Sequence, residues 1–157
     1  MTMARTLLDT NVLVYFYDHN TPEKQSRARA LLARLTALKS GFVSAQSLAE
    51  FANSTMRRLK PPLTPAEALV EASKLALALQ VFDLTSEVVL EAVRGVRDHQ
   101  LSYYDAQIWA CARLNQIPVV FSEDPSPGSG QAFQDGQLLE GVRFINPFTD
   151  QFEVEMW

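Results

Sequence analysis

Short apolar segments alternate with longer amphipathic segments along most of this chain. The short ones, at about residues 5–8 and in the stretches FVS, VFDL, IPVVFS and VRFIN, have the length and the β-branched and aromatic content of buried strands. Most of the segments between them have helical periodicity. Strands that alternate with helices are joined by crossover connections, so the pattern predicts a parallel sheet covered by helices on both faces.

Threonine, proline and glycine residues mark where these elements begin and end. Thr21 before Pro22 predicts the start of a long helix that stops at Gly41, and a second Thr-Pro pair predicts another helix start at residues 64–65. The helix AQSLAEFANSTMRRL is expected to end at Pro61. The stretch EDPSPGSGQAFQDGQ is a loop by composition. With 157 residues and no internal repeat, we expect a single domain over residues 1–157.

The overall composition restricts the class of protein. A net charge of −4 argues against a protein that coats nucleic acid through bulk positive charge, although an enzyme that holds phosphates through metal ions is compatible with it. The single cysteine, Cys111, cannot form an internal disulfide and favours a reducing, cytoplasmic setting. We expect no membrane span and no secretory signal, because the apolar runs are too short for either.

Two acidic residues directly follow predicted strands. Asp9 comes after the first strand, and Asp124, next to Glu123, comes after VVFS. The carboxyl ends of parallel strands meet at one edge of the sheet, which is where such sheets bind ligands. From its position alone, Asp9 is either a helix N-cap or a ligand, and Asp124 is either a turn residue before Pro125 or a ligand.

Two further carboxylates lie on predicted helices. Asp105 shares a helix face with the apolar residues Ile108 and Trp109, and an unpaired charge on such a face is costly unless a metal ion or hydrogen bonds compensate it. Glu50 lies on the polar face of its helix with Ser54. That placement is typical of a solvated residue, and Glu50 belongs to a site only if this face meets the edge of the sheet.

The residue types in this group indicate which cation would bind. Carboxylates without an accompanying His or Cys cluster suit a hard cation such as Mg²⁺ or Mn²⁺, because these ions prefer oxygen ligands. His19, His99 and Cys111 are isolated in the sequence, which argues against zinc. Gathered carboxylates also repel one another, so a cation is their natural counter-charge. A site of this kind suits hydrolysis of phosphodiester bonds.

Five stretches, LLDTNVLVYFYD, SLAEF, LSYYDAQIWACA, VVFSED and DGQLLEGVRFINPF, together resemble the PIN-domain family. They resemble most its toxin branch, the VapC-type ribonucleases of bacterial toxin–antitoxin pairs, and they occur in order between Leu7 and Phe148. The resemblance implies an α/β fold, a three-layer α/β/α sandwich with a four- or five-stranded parallel sheet. It also implies a metal-dependent endoribonuclease that leaves 5′-phosphate and 3′-hydroxyl ends.

The resemblance also assigns roles to individual residues. It implies four catalytic acids, with the three aspartates as metal ligands: Asp9, Glu50, Asp105 and Asp124. Asn11 would orient Asp9, Ser122 would form a hydrogen bond within the site, and helix capping would fall to Thr10 or Asn11. One departure from the family pattern is a Gly/Pro/Ser-rich insertion at about residues 125–133. It separates the fourth acid from the DGQ segment and is expected to lie beside the site.

The resemblance further implies partners, namely an RNA substrate, a cognate antitoxin and a second copy of the chain in a homodimer. Three cations at the end of the Glu50 helix are candidate RNA contacts if they border the acidic pocket: Arg57, Arg58 and Lys60. Cations at a helix C-terminus also complement the helix dipole without binding any ligand. Tyr103 and Tyr104 either pack against the domain or stack on RNA bases.

Two other functions remain open. One is a PIN-like nuclease that acts in RNA maturation outside a toxin pair, and the other is an inactive PIN-like domain that binds RNA or protein. An inactive domain is expected to have lost one or more of the acids, whereas all four positions are acidic here. A small antitoxin-like gene beside this one would distinguish a toxin from a maturation nuclease.

Overall fold

The computed structural model describes residues 3–123 and 133–157. Within these ranges the chain forms six strands, six α-helices and a short 3₁₀ helix. The strands are β1 (Thr6–Leu8), β2 (Gly41–Ser44), β3 (Gln80–Phe82), β4 (Val119–Phe121), β5 (Leu138–Leu139) and β6 (Val142–Ile145). The helices are α1 (Thr10–Tyr15), α2 (Pro22–Ala37), α3 (Ala45–Arg57), α4 (Pro65–Ala78), α5 (Ser86–His99) and α6 (Tyr103–Leu114), and the 3₁₀ helix covers Val154–Met156.

The strands form one sheet in the order β3-β2-β1-β4-β6-β5. The first five strands in this order are parallel, and β5 pairs antiparallel with β6 at the edge. The predicted parallel sheet between helices is confirmed, and β5 is an addition that the sequence did not indicate, because two residues are too few to show strand periodicity. In the register of the sheet, Leu8 at the end of β1 lies next to Phe121 at the end of β4.

Apolar side chains fill both faces of the sheet. Leu7 and Val120 belong to a buried cluster with α5 and α6, whereas Leu8 and Phe121 belong to a second cluster with helices α1 to α4. Successive residues of a strand point to opposite faces, which is why neighbouring residues of β1 and of β4 contribute to different clusters. The three layers therefore place the carboxyl ends of β1, β2 and β4 together at one edge of the sheet.

Trp109 of α6 fills the centre of the first cluster and is fully buried. Its indole Nε1 donates a hydrogen bond to the carbonyl oxygen of Leu139 at 3.2 Å. Gly95 of α5 makes this packing possible, since a Cβ atom at position 95 would lie 2.8 Å from Cζ3 of Trp109. Cys111 is also buried, and burial raises the pKa of its thiol to about 11, as expected for a packing residue.

Some predicted element boundaries are wrong. Helix α2 ends at Ala37, and Gly41 is the first residue of β2 and not a helix stop; a Cβ atom there would lie 2.6 Å from Cδ2 of Leu79. Lys39 supplies the left-handed turn instead, with φ of 54°. Helix α3 ends at Arg57, earlier than the proline pair indicated.

The insertion predicted at about residues 125–133 lies outside the described residues except for its last member. Phe133 is buried, and its ring stacks on that of Phe144 in β6 at a centroid distance of 3.5 Å. Among the helices that the structure describes, none combines the length and the apolar content that a membrane crossing requires.

Candidate active site

Asp9, Glu50 and Asp105 line one cavity of about 630 Å³ at the carboxyl edge of the sheet. They come from three elements: Asp9 follows β1, Glu50 lies in α3 and Asp105 lies in the first turn of α6. The fourth predicted acid, Asp124, lies outside the described residues. The polar face of α3 therefore lies at the edge of the sheet, and Glu50 lies in the same cavity as Asp9 and Asp105.

Both oxygens of the Asp9 carboxylate accept hydrogen bonds. Oδ1 accepts a hydrogen bond from the backbone N–H of Thr10 at 2.7 Å, and Oδ2 accepts one from the hydroxyl of Ser122 at 2.7 Å. The N-cap of α1 is therefore Asp9 itself, and the prediction that Thr10 or Asn11 does the capping is wrong. Each carboxylate oxygen has two lone pairs, so Asp9 can cap the helix and still face a ligand.

The pKa of the Asp9 carboxyl is raised to about 6, mainly by burial and to a smaller extent by the nearby carboxylates of Asp105 and Glu50. The hydrogen bonds from Ser122 and Thr10 act in the opposite direction. Desolvation and like charges both disfavour the ionised form of an acid. The cavity therefore holds negative charge that a bound cation would stabilise.

Asn11 fixes the chain immediately after β4. Its Nδ2 donates to the carbonyl oxygen of Glu123 at 3.0 Å, and its Oδ1 accepts from the N–H of Glu123 at 3.2 Å. Nδ2 also approaches the hydroxyl of Ser122 at 3.5 Å, so Asn11 reaches Asp9 through Ser122. The Glu123 side chain forms an ion pair with Lys24 of α2.

Glu50 is held by a chain of hydrogen bonds that the sequence pattern does not predict. Its Oε1 accepts from Nε2 of Gln46 at 2.8 Å, and its Oε2 accepts from the hydroxyl of Thr10 at 3.1 Å. The Oε1 of Gln46 in turn accepts from Nε2 of Gln107 at 2.7 Å. The only sequence signal was the spacing, since Gln46 lies one helical turn before Glu50 and Gln107 lies two residues after Asp105.

Asp105 lies at the start of α6, where the hydroxyl of Ser102 accepts a hydrogen bond from the Asp105 N–H at 3.4 Å. A carboxylate in the first turn of a helix is favoured by the helix dipole. Tyr104, the residue before it, also lines the cavity, and its side chain remains 65% exposed.

The predicted RNA-contacting cations separate into two groups. Arg58 and Lys60 line the cavity, whereas Arg57, in the described part of the chain, is exposed outside it. Most cations of α2 have structural partners: Lys24 pairs with Glu123, and Arg34 donates to the carbonyl oxygens of Glu155 and Trp157.

The model of the PIN domain family matches residues 6–126 of this chain, which is more than half of its length. The chain belongs to the PIN domain family. Members of this family are nucleases. No curated protein matches the sequence significantly.

Solved structures similar to this PIN domain include two toxin systems. One is the Mycobacterium tuberculosis toxin VapC20, which cleaves the sarcin–ricin loop, with a TM-score of 0.53, 20% identity and coverage of 73% of this chain and 86% of that one. The other is VapBC2 from Rickettsia felis bound to a DNA fragment from its promoter, with a TM-score of 0.53, 14% identity and coverage of 74% and 86%. At these identities the similarity is one of fold.

The donor set of this PIN domain fits a hard divalent cation. Within residues 3–123 and 133–157, no three side chains of His, Cys, Asp or Glu are close enough to hold a metal ion by themselves. Mg²⁺, however, is usually bound by one or two carboxylates together with water and substrate phosphates. Asp9 and Asp105 supply two carboxylates at one cavity, and a bound cation would favour the ionised form of Asp9, which burial disfavours.

Proposed function

We propose that this PIN domain is a metal-dependent endoribonuclease and the toxin component of a type II toxin–antitoxin pair. The observation that carries the proposal is the convergence of Asp9, Glu50 and Asp105 on one cavity at the carboxyl edge of the sheet. Carboxylates from three separate elements are costly to gather, because like charges repel one another. Such a group is typical of a site whose negative charge is neutralised by a bound metal ion.

The residues of the site divide into ligands and supporting groups. Asp9 and Asp105, together with Asp124, would hold Mg²⁺ or Mn²⁺. When bound, the divalent cation supplies the positive charge that activates water and stabilises the phosphate in the transition state. Ser122 and the Thr10 N–H fix both oxygens of Asp9, while Gln46 and the Thr10 hydroxyl fix those of Glu50.

RNA is the proposed substrate. The cavity combines an acidic floor with the cations Arg58 and Lys60, and this combination suits a polyanion that is cleaved at one phosphate and held at others. VapC20, which has a similar fold, cleaves the sarcin–ricin loop. The proposed products carry 5′-phosphate and 3′-hydroxyl ends.

We propose an antitoxin and a second copy of the chain as protein partners. Helices α4 and α5 expose large apolar side chains, among them Leu69 and Leu77 on α4 and Leu90 and Val93 on α5; Leu77 is 88% exposed. Exposed apolar surface of this kind is typical of protein interfaces. VapBC2 is itself a toxin–antitoxin system of the same fold. A free, buried Cys111 is compatible with the proposed cytoplasmic setting.

The test compares the wild-type protein with Asp9→Asn on end-labelled structured RNAs, with Mg²⁺, Mn²⁺ or EDTA. Asparagine keeps the size and the capping ability of the residue and removes its charge. We expect metal-dependent cleavage by the wild type and at least a hundredfold less by the variant. Asp150→Asn is the matched control, because Asp150 is an exposed acid in the C-terminal tail. We expect this variant to cleave RNA like the wild type.

Equal cleavage by the wild type and Asp9→Asn would contradict the proposal and would indicate a contaminating nuclease. Absence of cleavage in the antitoxin-free protein on several RNAs, with RNA binding retained, would favour the inactive binding domain. Co-purification of a small protein encoded next to this gene, and recovery of cleavage after its removal, would distinguish a toxin from a maturation nuclease.

A further inference from the structure

Lys24 and Glu123 form an ion pair beside the acidic cavity. Lys24 is the third residue of α2 and Glu123 is the second residue after β4, and their side chains are only 35% and 20% exposed. Neither belongs to the described residues that line the cavity. Because both side chains are partly shielded from water, salt screens this pair less than an ion pair on the open surface. The pair therefore restricts both side chains.

The Lys24 ammonium group has three contacts besides the Glu123 carboxylate. Its Nζ donates a hydrogen bond to the hydroxyl of Tyr15 at 3.3 Å, and it lies 4.8 Å from the centroid of the Tyr15 ring and 5.8 Å from that of Phe148. Aromatic faces attract an ammonium group. Burial lowers the pKa of Lys24, but the Glu123 carboxylate and the Tyr15 hydroxyl together raise it by more. Lys24 is thus a fixed counter-charge for Glu123.

Glu123 lies next to the carboxylate site in the chain. The preceding residue, Ser122, donates to Asp9, and the backbone of Glu123 is bound by Asn11, which lines the cavity. Tyr15 also lines the cavity, and burial and a hydrogen bond with Glu123 both raise the pKa of its hydroxyl. The Glu123 carboxylate therefore contacts a residue of the cavity wall without lining the cavity itself.

We propose that Lys24 is a positioning residue that keeps the Glu123 carboxylate away from the metal ion of the candidate active site. Asp9, Glu50 and Asp105 already gather negative charge there, and a further carboxylate would increase the repulsion between them. Mg²⁺ sites that act on phosphates usually leave several ligand positions to water and substrate. A further acid would occupy such a position, so holding Glu123 aside preserves it. The inference rests on the proposed metal-dependent function.

The affinity of the RNA-free protein for Mn²⁺, measured by EPR titration, tests this role without any cleavage. Lys24→Met removes the charge and keeps the long apolar stem, Lys24→Arg keeps the charge, and Glu123→Gln removes the acid. Lys60→Met is the matched control. Lys60 lines the cavity and, in the described part of the chain, forms no ion pair, so its loss makes the same change of charge without releasing an acid.

We expect Lys24→Met to bind Mn²⁺ about tenfold more tightly than the wild type, because the site gains a charged ligand. Lys24→Arg should bind like the wild type. Glu123→Gln alone should have little effect, whereas Glu123→Gln combined with Lys24→Met should restore the wild-type affinity. Lys60→Met should tighten binding by no more than about threefold, because its charge acts on the site only through a screened field.

Unchanged or weaker Mn²⁺ binding by Lys24→Met would overturn the inference, as would a tightening no larger than that of Lys60→Met. Additive effects of Lys24→Met and Glu123→Gln would also overturn it, since two long-range charge effects add and the release of a ligand does not. Circular dichroism checks the fold of each variant, and Lys24→Gln replaces Lys24→Met if the latter does not fold. Absence of Mn²⁺ binding by the wild type would contradict the proposed metal site itself, and this inference with it.

Discussion

Gln46 links the helix that carries Glu50 to the helix that carries Asp105. Its amide nitrogen donates to Glu50 at 2.8 Å, and its amide oxygen accepts from Gln107 at 2.7 Å. Gln46 is 9% and Gln107 is 4% exposed, so neither amide has ready access to water as a substitute partner. The two glutamines therefore set the position of Glu50 relative to α6.

The glutamine pair can be tested by a double-mutant cycle. Gln46→Leu leaves the buried Gln107 amide unpaired and should cost about 1–3 kcal/mol in the free energy of unfolding, measured by urea denaturation. It should also lower kcat on RNA roughly 10- to 100-fold, because Glu50 loses its positioning donor. Gln46→Leu with Gln107→Leu should recover much of the stability but not the activity. Recovery of both would show that the pair has only a structural role.

Asp9 should make the stability of the metal-free protein depend on pH. Its folded-state pKa of about 6 is above the ordinary value of 3.8, so the folded state binds more protons between these values and stability falls as the pH rises through them. Above about pH 6, Asp9→Asn should therefore be more stable than the wild type by about 1–3 kcal/mol, and near pH 4 the two should be alike. Thermal unfolding of both proteins in EDTA at several pH values measures this difference in stability.

Added Mg²⁺ provides a second arm of the same experiment. The cation should stabilise the wild type at neutral pH and have little effect on Asp9→Asn, because ligand binding to the folded state raises its stability. Equal stability of the two proteins across the whole pH range in EDTA would contradict the proposed environment of Asp9.

Ser122→Ala should raise the pKa of Asp9 above its wild-type value, since the Ser122 hydroxyl donates to the ionised carboxylate and lowers that pKa. Carboxyl carbon chemical shifts in the metal-free protein report the titration directly. Ser54→Ala is the control, because Ser54 lines the same cavity from α3. A larger shift from Ser54→Ala than from Ser122→Ala would be inconsistent with the observed hydrogen bond.

Gly95→Ala should destabilise the domain by about 1–3 kcal/mol, because the added Cβ would lie 2.8 Å from the fully buried ring of Trp109. Helix propensity alone predicts the opposite sign, a gain of about 1 kcal/mol for alanine in place of glycine in a helix. The sign of the change in the urea unfolding free energy thus distinguishes packing from propensity, and a stabilised variant would refute the packing argument.

The sequence predicted the parts of this fold that follow from local pattern. Alternating apolar and amphipathic segments predicted the layered sheet, and the family resemblance placed Asp9, Glu50 and Asp105 in one site before any coordinates. Gln107 could not be predicted as a site residue, because its partner Gln46 lies 61 positions away and a buried glutamine has no distinctive periodicity. Gly41 was misread because sequence cannot separate a glycine needed for close packing from one that ends a helix.

The capping role of Asp9 was missed for a related reason. Its position directly after a strand predicts either a cap or a ligand, whereas the two carboxylate oxygens of Asp9 allow both roles. The assignment of Asp124 stays a prediction, because that residue lies outside the described part of the chain. At functional positions, one side chain often has both a structural role and a role in ligand binding, and a rule based on local sequence predicts only one of them.

Both flanks of the stretch 124–132 are fastened to the body of the domain independently of each other. On one flank, the Asn11 side chain forms two hydrogen bonds with the backbone of Glu123, and on the other, the ring of Phe133 stacks on that of Phe144. Neither attachment involves residues 125–132. Over evolutionary time, the length and sequence of residues 125–132 can therefore change among relatives of this chain while both attachments, and the positions of Asp9, Glu50 and Asp105, are kept.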